Sequence, residues 1–494
     1  MQQSIVHAVC ISLLLICTAC QTAPQSEIEQ RLFNPDQIGV RWGLVVTDMD
    51  GNELIALKPD DRFTPASNVK IITTMAAYEN LDALIATQAW SGTQVLIEHD
   101  LANEHPSLIL HGGGDAMLQD HPECEQSCLA DLADQVAALG LAEFSGVIGD
   151  DTVFPFERWG PGWSLEDIQF SYGTAVSALS VNDNLVGIDI APASNSGALA
   201  EINWQAGDAY LTVQNELVTV AADVPTDFGI ERQPGTKTVR IYGTLAEDAA
   251  PIQFNLAVDS PAEYAALRFK RLLEARGMKV GTIGTRHRPL DLADLPPDPE
   301  LEIARPVISA DTASPSAGLP ATPITETLHR ISKESQNLHA EILLRRLGHI
   351  HGTGSRAHGV RLLETFLSDA GLPEQAYALH GGSGMSTYNR VTPRGMVQLL
   401  TFASQQDWFE DWLADQPIGG VDGTLERRFI GTPLEGKVFA KTGTLRGVNA
   451  LSGVMIANSG QRLLFSIFAN DRPATSRSAI AEMDAALVEI ATRY

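Results

Sequence analysis

The chain has 494 residues, of which 44% are hydrophobic, and a formal net charge of −27 at pH 7. A chain of this length can bury a sizeable core and is expected to contain two or three domains. Its acidity, with no run rich in Lys or Arg, argues against nucleic acid as a partner, because neutralising phosphates requires clustered cations.

The N-terminus has the pattern of an export signal. Val6 to Ala19 form an apolar stretch that is too short for a transmembrane span, and a small residue precedes Cys20. This arrangement resembles the cleavage site of bacterial lipoproteins, and Gln21 at the next position resembles outer-membrane sorting. We therefore predict a lipoprotein-type signal peptide at residues 1–20 and a periplasmic protein tethered to the outer membrane through Cys20. The alternative is a buried N-terminal helix.

A β-hairpin is predicted next. Gly39 to Val46 and Glu53 to Leu57 have the composition of strands, and the residues between them, Asp48 to Asn52, are typical of a turn.

A helix follows this hairpin. Thr64 is the predicted N-cap and Pro65 lies in the predicted first turn. The helix carries Ser67 and Lys70, an S-x-x-K pair whose spacing places both side chains on one face. A surface Ser and Lys on an ordinary amphipathic helix is the alternative interpretation.

The stretch 91–299 is strand-like and punctuated by turns. It contains Cys124 and Cys128, the even pair that remains once the cysteines of the N-terminus are set aside. In an oxidising compartment we expect them to form a short-loop disulfide. Two free thiols are the alternative, and a metal site is disfavoured because one C-x-x-x-C supplies half of the ligands that zinc needs.

The S-x-N pattern occurs twice. Ser335 and Asn337 precede a strong predicted helix, Leu338 to Leu347, and lie at a single-domain distance from the third motif. Ser180 and Asn182 fit the same pattern but fall inside the strand-like stretch. We prefer Ser335, for which a simple helix N-cap is the alternative role.

Three strands and a helix are predicted at the C-terminus: Lys437 to Thr444, Val448 to Ile456, Arg462 to Phe468, and a helix from Ser476 to Thr492. With the first hairpin they predict an α+β domain built on a five-stranded antiparallel sheet flanked by helices.

The first of these C-terminal strands contains a K-T-G motif, Lys441, Thr442 and Gly443, followed by Thr444. A lysine that only protects an edge strand from aggregation is the alternative interpretation.

The spacing of the motifs indicates an insertion. Ser67 and Ser335 are separated by 268 positions, whereas Ser335 and Lys441 are separated by 106. We therefore predict a catalytic domain made of residues 35–90 plus 300–494, and an inserted strand-rich region at 91–299 that contains two nested domains.

The three motifs together predict a reaction. In this order, S-x-x-K, S-x-N and K-T-G are typical of enzymes that acylate a serine with β-lactams or with D-Ala-D-Ala peptides. Ser67 is the predicted nucleophile, Lys70 its base and Ser335 a proton relay, while Asn337 holds Lys70 or the substrate amide. No G-x-S-x-G, H-E-x-x-H or Walker motif competes with this assignment.

The K-T-G motif and Thr444 form the predicted substrate-binding site. Lys441 suits a substrate carboxylate, and Thr442 and Thr444 add hydroxyl donors. Gly443 lets a ligand backbone lie against the strand edge. The backbone amides of Ser67 and Thr444 are the predicted oxyanion hole.

From Gly39 to its C-terminus the chain resembles the penicillin-binding protein 4 family, the D-alanyl-D-alanine carboxypeptidase/endopeptidases with an insertion after the nucleophile helix. Further segments carry this resemblance: TPASNVK at 64–70, GGGD at 112–115, VSALSVN at 176–182, NLHAE at 337–341, GSGMS at 382–386 and DGTL at 422–425. The chain departs from the family at Thr387, where Arg is usual, and Arg390 stands three residues later. The resemblance implies a β-lactamase/transpeptidase-like fold and action on peptidoglycan peptides, with β-lactams as covalent inhibitors.

We expect a serine D,D-carboxypeptidase that is also a D,D-endopeptidase and that needs no metal or other cofactor. Contact with a membrane is expected only through the N-terminal lipid. Two alternatives remain at this point: a serine β-lactamase or esterase on the same fold, and an inactive lipoprotein that binds peptidoglycan.

Overall fold

The computed structural model describes residues 27–28, 30–32, 39–87, 91–99, 103–205, 210–295, 316–350, 352–473 and 478–494. The predicted signal peptide, with Cys20, lies outside these residues. In the part of the chain that is described, no helix has both the length and the apolar composition needed to cross a bilayer.

The strands follow one another along the whole described chain. They are β1 (Arg41–Thr47), β2 (Glu53–Leu57), β3 (Thr93–Glu98), β4 (Ser107–Gly112), β5 (Glu143–Pro155), β6 (Leu185–Ala191), β7 (Glu201–Trp204), β8 (Thr212–Val220), β9 (Asp227–Arg232), β10 (Thr238–Ala246), β11 (Ile252–Ala257), β12 (Lys279–Arg288), β13 (Ala317–Gly318), β14 (Tyr377–Ala378), β15 (Arg390–Val391), β16 (Val438–Leu445), β17 (Val448–Ile456) and β18 (Arg462–Asn470).

The α-helices lie mainly outside the strand-rich middle of the chain. They are α1 (Val69–Glu79), α2 (Leu81–Ala86), α3 (Leu129–Ala138), α4 (Pro261–Glu274), α5 (Ile324–Lys333), α6 (Asn337–Ile350), α7 (Arg356–Asp369), α8 (Pro393–Ala403), α9 (Phe409–Ala414) and α10 (Ile480–Arg493).

The described residues divide into two compact units. The first contains those within Met1–Glu79, His329–Ser335 and Leu363–Tyr494, and the second those within Asn80–Leu328 and Gln336–Leu362. This division differs from the predicted one for residues 80–87, 316–328 and 336–362, which group with the second unit. The predicted boundary at residue 300 lies outside the described residues, and the two nested inserted domains stay a prediction.

The first unit is built on a five-stranded antiparallel sheet in the order β16-β17-β18-β1-β2. The sequence predicts this sheet from two strands before Ser67 and three at the C-terminus, and the prediction is confirmed. β1 and β18 pair along their whole length, so the two ends of the domain meet at the centre of the sheet.

Successive side chains along each strand point to opposite sides, so the sheet has two distinct faces. On one face Leu44 and Phe465 pack in a core with Leu487 of α10. On the other face α8 lies against β1 and β18. A Cβ on Gly43 would lie 2.5 Å from the ring of Phe63, so this position of the packed face accepts no side chain.

The second unit is rich in strands. It contains a five-stranded sheet in the order β12-β5-β4-β3-β13 and two three-stranded sheets, β11-β6-β7 and β8-β10-β9. α4 packs against β5 and β12. Buried residues of all three sheets, such as Val147, Ile188 and Ile241, belong to one hydrophobic core.

The two cysteines of the second unit are bonded to each other. Cys124 and Cys128 form a disulfide in the loop before α3, with their Cα atoms 5.8 Å apart. The predicted pairing is therefore the one that the structure contains.

Candidate active site

The first unit presents Ser67 on a tight turn between the sheet and α1. Ala66 to Asn68 form a single 3-10 turn, and Ala66 has a φ of 47°, a left-handed conformation that is strained for a residue with a side chain. Ser67 is partly exposed, whereas Ala66 and Asn68 on either side of it are buried. The turn therefore isolates the serine hydroxyl as the accessible group.

The predicted cap of this helix is wrong. The first turn begins at Ala66, so Thr64 lies outside it and makes a different set of bonds. The Thr64 amide donates to Oδ1 of Asn470 at 2.7 Å, and Nδ2 of Asn470 donates to the Thr64 carbonyl at 3.2 Å. Asn470 at the end of β18 therefore fixes the approach to the turn from the sheet.

Lys70 lies one turn after Ser67 and is fully buried. Its Nζ donates to Oγ of Ser67 at 3.0 Å and to the carbonyl oxygen of Ser383 at 2.6 Å. These two hydrogen bonds hold the Lys70 side chain in place, with its amine next to the hydroxyl of Ser67. The structure therefore brings the predicted nucleophile and its predicted base into hydrogen-bond contact.

The segment from Gly382 to Ser386 supports this pair. The Gly382 carbonyl accepts a bond from Thr73 Oγ1 of α1 at 2.8 Å. Gly384 has a φ of 91°, and a Cβ there would lie 1.9 Å from the Ala66 carbonyl oxygen. Only glycine allows this close approach beside Ser67. The sequence alone predicts no role for this segment, because its contacts join residues more than 300 positions apart.

Lys441 lies in β16, an edge strand of the sheet, and is almost completely buried. Nδ2 of Asn68, the residue after Ser67, donates to the Lys441 carbonyl at 2.9 Å. A Cβ on Gly443 would lie 2.7 Å from the Pro65 carbonyl oxygen, so the strand and the turn that carries Ser67 are in close contact. Burial lowers the pKa of Lys441 to about 7.

The two threonines of this strand differ in environment. Thr442 is partly buried, and its hydroxyl donates to Oγ1 of Thr424 at 2.8 Å. Thr444 is exposed. Thr424 belongs to the D-G-T-L sequence at 422–425, for which no local pattern predicts a role.

Ser335 and Asn337 fall in different units. Ser335 follows α5, is partly exposed, and has a φ of 61°. Asn337 is buried and begins α6 in the second unit, where its Nδ2 donates to the Tyr172 carbonyl at 2.8 Å.

The side chains of the other S-x-N sequence, Ser180 and Asn182, form hydrogen bonds with residues of the second unit. Ser180 is buried and donates to the Ser177 carbonyl at 3.1 Å, and Asn182 pairs with Asp120. These bonds account for both side chains as parts of the inserted region.

Arg390 stands three residues after Thr387, the position at which the chain departs from the family, and its guanidinium donates to nearby groups of this protein. Its Nη1 donates to Oγ1 of Thr64 at 3.0 Å and to the carbonyls of Thr387 and Asn389, each at 2.8 Å. The guanidinium therefore joins the segment that precedes Ser67 to the loop at 387–389.

The sheet with a helical layer on each face is the β-lactamase/transpeptidase-like fold. The structure is similar to the crystal structure of penicillin binding protein 4 (dacB) from Haemophilus influenzae, with a TM-score of 0.77 and 22% sequence identity over 94% of this chain and 98% of that one. The predicted fold class is confirmed.

The chain belongs to the D-Ala-D-Ala carboxypeptidase 3 (S13) family, whose model matches residues 24–295 and 301–494. It is 33% identical over 487 residues to the D-alanyl-D-alanine carboxypeptidase of Actinomadura sp. (strain R39), covering 95% of this chain and 85% of that protein. It is 25% identical over 460 residues to the D-alanyl-D-alanine carboxypeptidase DacB of Haemophilus influenzae, covering 90% and 88%. The protein is therefore a D-Ala-D-Ala carboxypeptidase.

Proposed function

We propose that this carboxypeptidase is a serine enzyme that acts on the stem peptides of peptidoglycan through an acyl-Ser67 intermediate. The observation that carries the proposal is the 3.0 Å contact between Lys70 Nζ and Ser67 Oγ at a partly exposed serine. A serine hydroxyl is a weak nucleophile until a base within hydrogen-bond reach takes its proton.

In the acylation step, an uncharged Lys70 accepts the proton of Ser67 as Oγ attacks the carbonyl of the penultimate D-Ala. The bond from that carbonyl to the nitrogen of the terminal D-Ala then breaks. The proton passes from Lys70 through the hydroxyl of Ser335 to the leaving amine. Water hydrolyses the ester in a second step, which returns a proton to Ser67.

Substrate binding is assigned to β16. Protonated Lys441 attracts the terminal carboxylate, and the exposed Thr444 hydroxyl donates a hydrogen bond to it. The Thr442 hydroxyl donates to the carboxylate once it exchanges its bond to Thr424 for the substrate. Gly443 leaves the strand edge open to the peptide backbone. The amides of Ser67 and Thr444 stabilise the oxyanion, and the contacts that join β16 to the 65–68 turn support this pairing.

We also propose D,D-endopeptidase activity and covalent inhibition by β-lactams. Both peptidase reactions cut the bond after a D-Ala carbonyl, and in both the leaving amine sits on a D-centre that bears a carboxylate. The same cation therefore serves both. A β-lactam complex of the Haemophilus influenzae protein, similar to this chain with a TM-score of 0.70, supports the second proposal.

The place of action is part of the proposal. The apolar stretch at Val6 to Ala19 and the small residue before Cys20 support export and lipid attachment in the outer membrane. A peptidoglycan peptide is a substrate outside the inner membrane, and a disulfide between Cys124 and Cys128 suits that oxidising compartment.

Purified protein incubated with pentapeptide muropeptides and cross-linked dimers tests the proposal. We expect D-Ala release from the first and cleavage of the second, both lost in Ser67→Ala. Cleavage of pentapeptides alone would refute the endopeptidase half. Undiminished D-Ala release by Ser67→Ala would refute the serine mechanism. Rapid multiple turnover of a penicillin with no lasting adduct would show a β-lactamase instead.

A further inference from the structure

Residues 334–336, which connect α5 to α6, carry Ser335 and are called the Ser335 turn below. Two residues outside the three motifs link this turn to the strand that carries Lys441. Lys333 is the last residue of α5, two positions before Ser335. Its Nζ donates to Oδ2 of Asp422 at 2.6 Å and to the carbonyl of Gln416 at 2.7 Å. The other carboxylate oxygen of Asp422 accepts a bond from the Ile418 amide at 2.9 Å.

The segment 416–424, which we call the bridging segment, continues from this ion pair to β16. The Gly419 amide donates to the Val438 carbonyl at 2.9 Å, and the Ala440 amide donates to the Pro417 carbonyl at 3.0 Å. The bridging segment is thus held along the edge of β16 by backbone bonds, immediately before Lys441.

The C-terminal end of the bridging segment is fitted tightly. Gly423 has a φ of 56°, and a Cβ there would lie 2.8 Å from the Lys333 carbonyl oxygen. Next to it, Thr424 accepts the hydrogen bond from Thr442. A continuous chain of contacts therefore joins the backbone just before Ser335 to the hydroxyl of Thr442.

From this geometry we infer that Lys333 and Asp422 are positioning residues, which set the Ser335 turn in register with the Lys441 strand. The inference rests on the proposed function, because Lys333 and Asp422 would position Ser335, the residue that the proposed function makes the proton relay. The ammonium is largely buried while the carboxylate is more than a third exposed. Water can reach the carboxylate side of the pair, and in Asp422→Asn the Gln416 carbonyl still accepts from the Lys333 ammonium, so the substitutions should alter geometry more than folding.

The test is a set of steady-state and acylation measurements on Lys333→Met, Asp422→Asn and the double variant. We expect kcat for D-Ala release and the rate of penicillin acylation to fall roughly ten- to a hundredfold, with KM changed by less than about threefold, since small misplacements of reacting groups cost factors of this size. Tm should change little. The double variant should be no slower than the more impaired single variant, because each substitution removes the same contact.

Two further variants make the result decisive. Arg462→Met removes an exposed ion pair with Glu410 in the same unit and should leave kcat unchanged. Lys333→Arg keeps a cation near Asp422 and should recover part of the lost rate. Unchanged kcat in Lys333→Met and Asp422→Asn, with a strong loss in Ser335→Ala, would overturn the positioning role alone. Unchanged kcat in Ser335→Ala would instead overturn the proposed relay.

Discussion

Nζ of Lys70 lies 3.0 Å from Oγ of Ser67, and the same nitrogen is held at 2.6 Å by the carbonyl of Ser383. This carbonyl fixes the amine, so the position of the proposed base depends on a segment more than 300 residues away in sequence. The first prediction concerns the amine itself.

Replacing Lys70 with Met or with Arg should slow penicillin acylation by roughly 10²–10⁴-fold, the contribution typical of general acid–base catalysis. Arg should not rescue the rate, because its guanidinium does not release a proton in this pH range. Stopped-flow acylation with a fluorescent penicillin measures this rate. Lys279→Met removes an exposed lysine of the second unit and serves as the control. Full activity in Lys70→Arg would rule out the role of base.

The pKa of Lys441, lowered to about 7 by burial, predicts a pH-dependent KM. Below this pKa the ammonium attracts the substrate carboxylate, and above it the attraction is lost. KM for a D-Ala-D-Ala peptide should therefore rise with pH through about 7, and Lys441→Arg should flatten the profile because Arg keeps its charge. A peptide ending in a carboxamide should show no such rise. The same rise for both peptides would place the titrating group elsewhere.

The lowered pKa of Lys441 also predicts how the stability of the protein depends on pH. The folded pKa is about 7, against 10.5 for an ordinary lysine, so between these values the unfolded chain binds more protons. The contribution of Lys441 to stability therefore rises with pH across this window. Lys441→Met should be more stable than the parent at neutral pH and should lose this rise. Urea titrations at several pH values measure both effects, and parallel profiles for the two proteins would contradict them.

Gly384→Ala should impair both folding and acylation. A methyl group there meets the Ala66 carbonyl at 1.9 Å, in addition to the unfavourable φ of 91°. Gly371 provides a matched control, since it has a φ of 81° and open space around its Cβ position. Gly371→Ala should cost about 1–2 kcal/mol of unfolding free energy and leave acylation intact. Equal behaviour of the two variants would show that the close approach to Ser67 has no functional consequence.

The sequence predicts those features that depend on local patterns. Strand-forming residues separated by turn residues predict β1, β2 and β16 to β18. The order of three short motifs predicts Ser67, Lys70 and Lys441 as site residues, and the structure shows the contact between Lys70 and Ser67. The cap at Thr64 is mispredicted because Asn470, from the far end of the chain, binds its backbone instead. The roles of Gly384 and Asp422 arise from contacts between distant segments, which no local pattern records.

The most direct test of the central claim is to locate the acyl group. Penicillin-treated protein, digested and analysed by mass spectrometry, should carry the mass of one opened penicillin on the peptide that contains Ser67, with fragment ions placing it on that residue. Ser67→Ala should carry none, and Ser335→Ala should acquire the same adduct more slowly. An adduct on another residue, or one that persists in Ser67→Ala, would contradict the account.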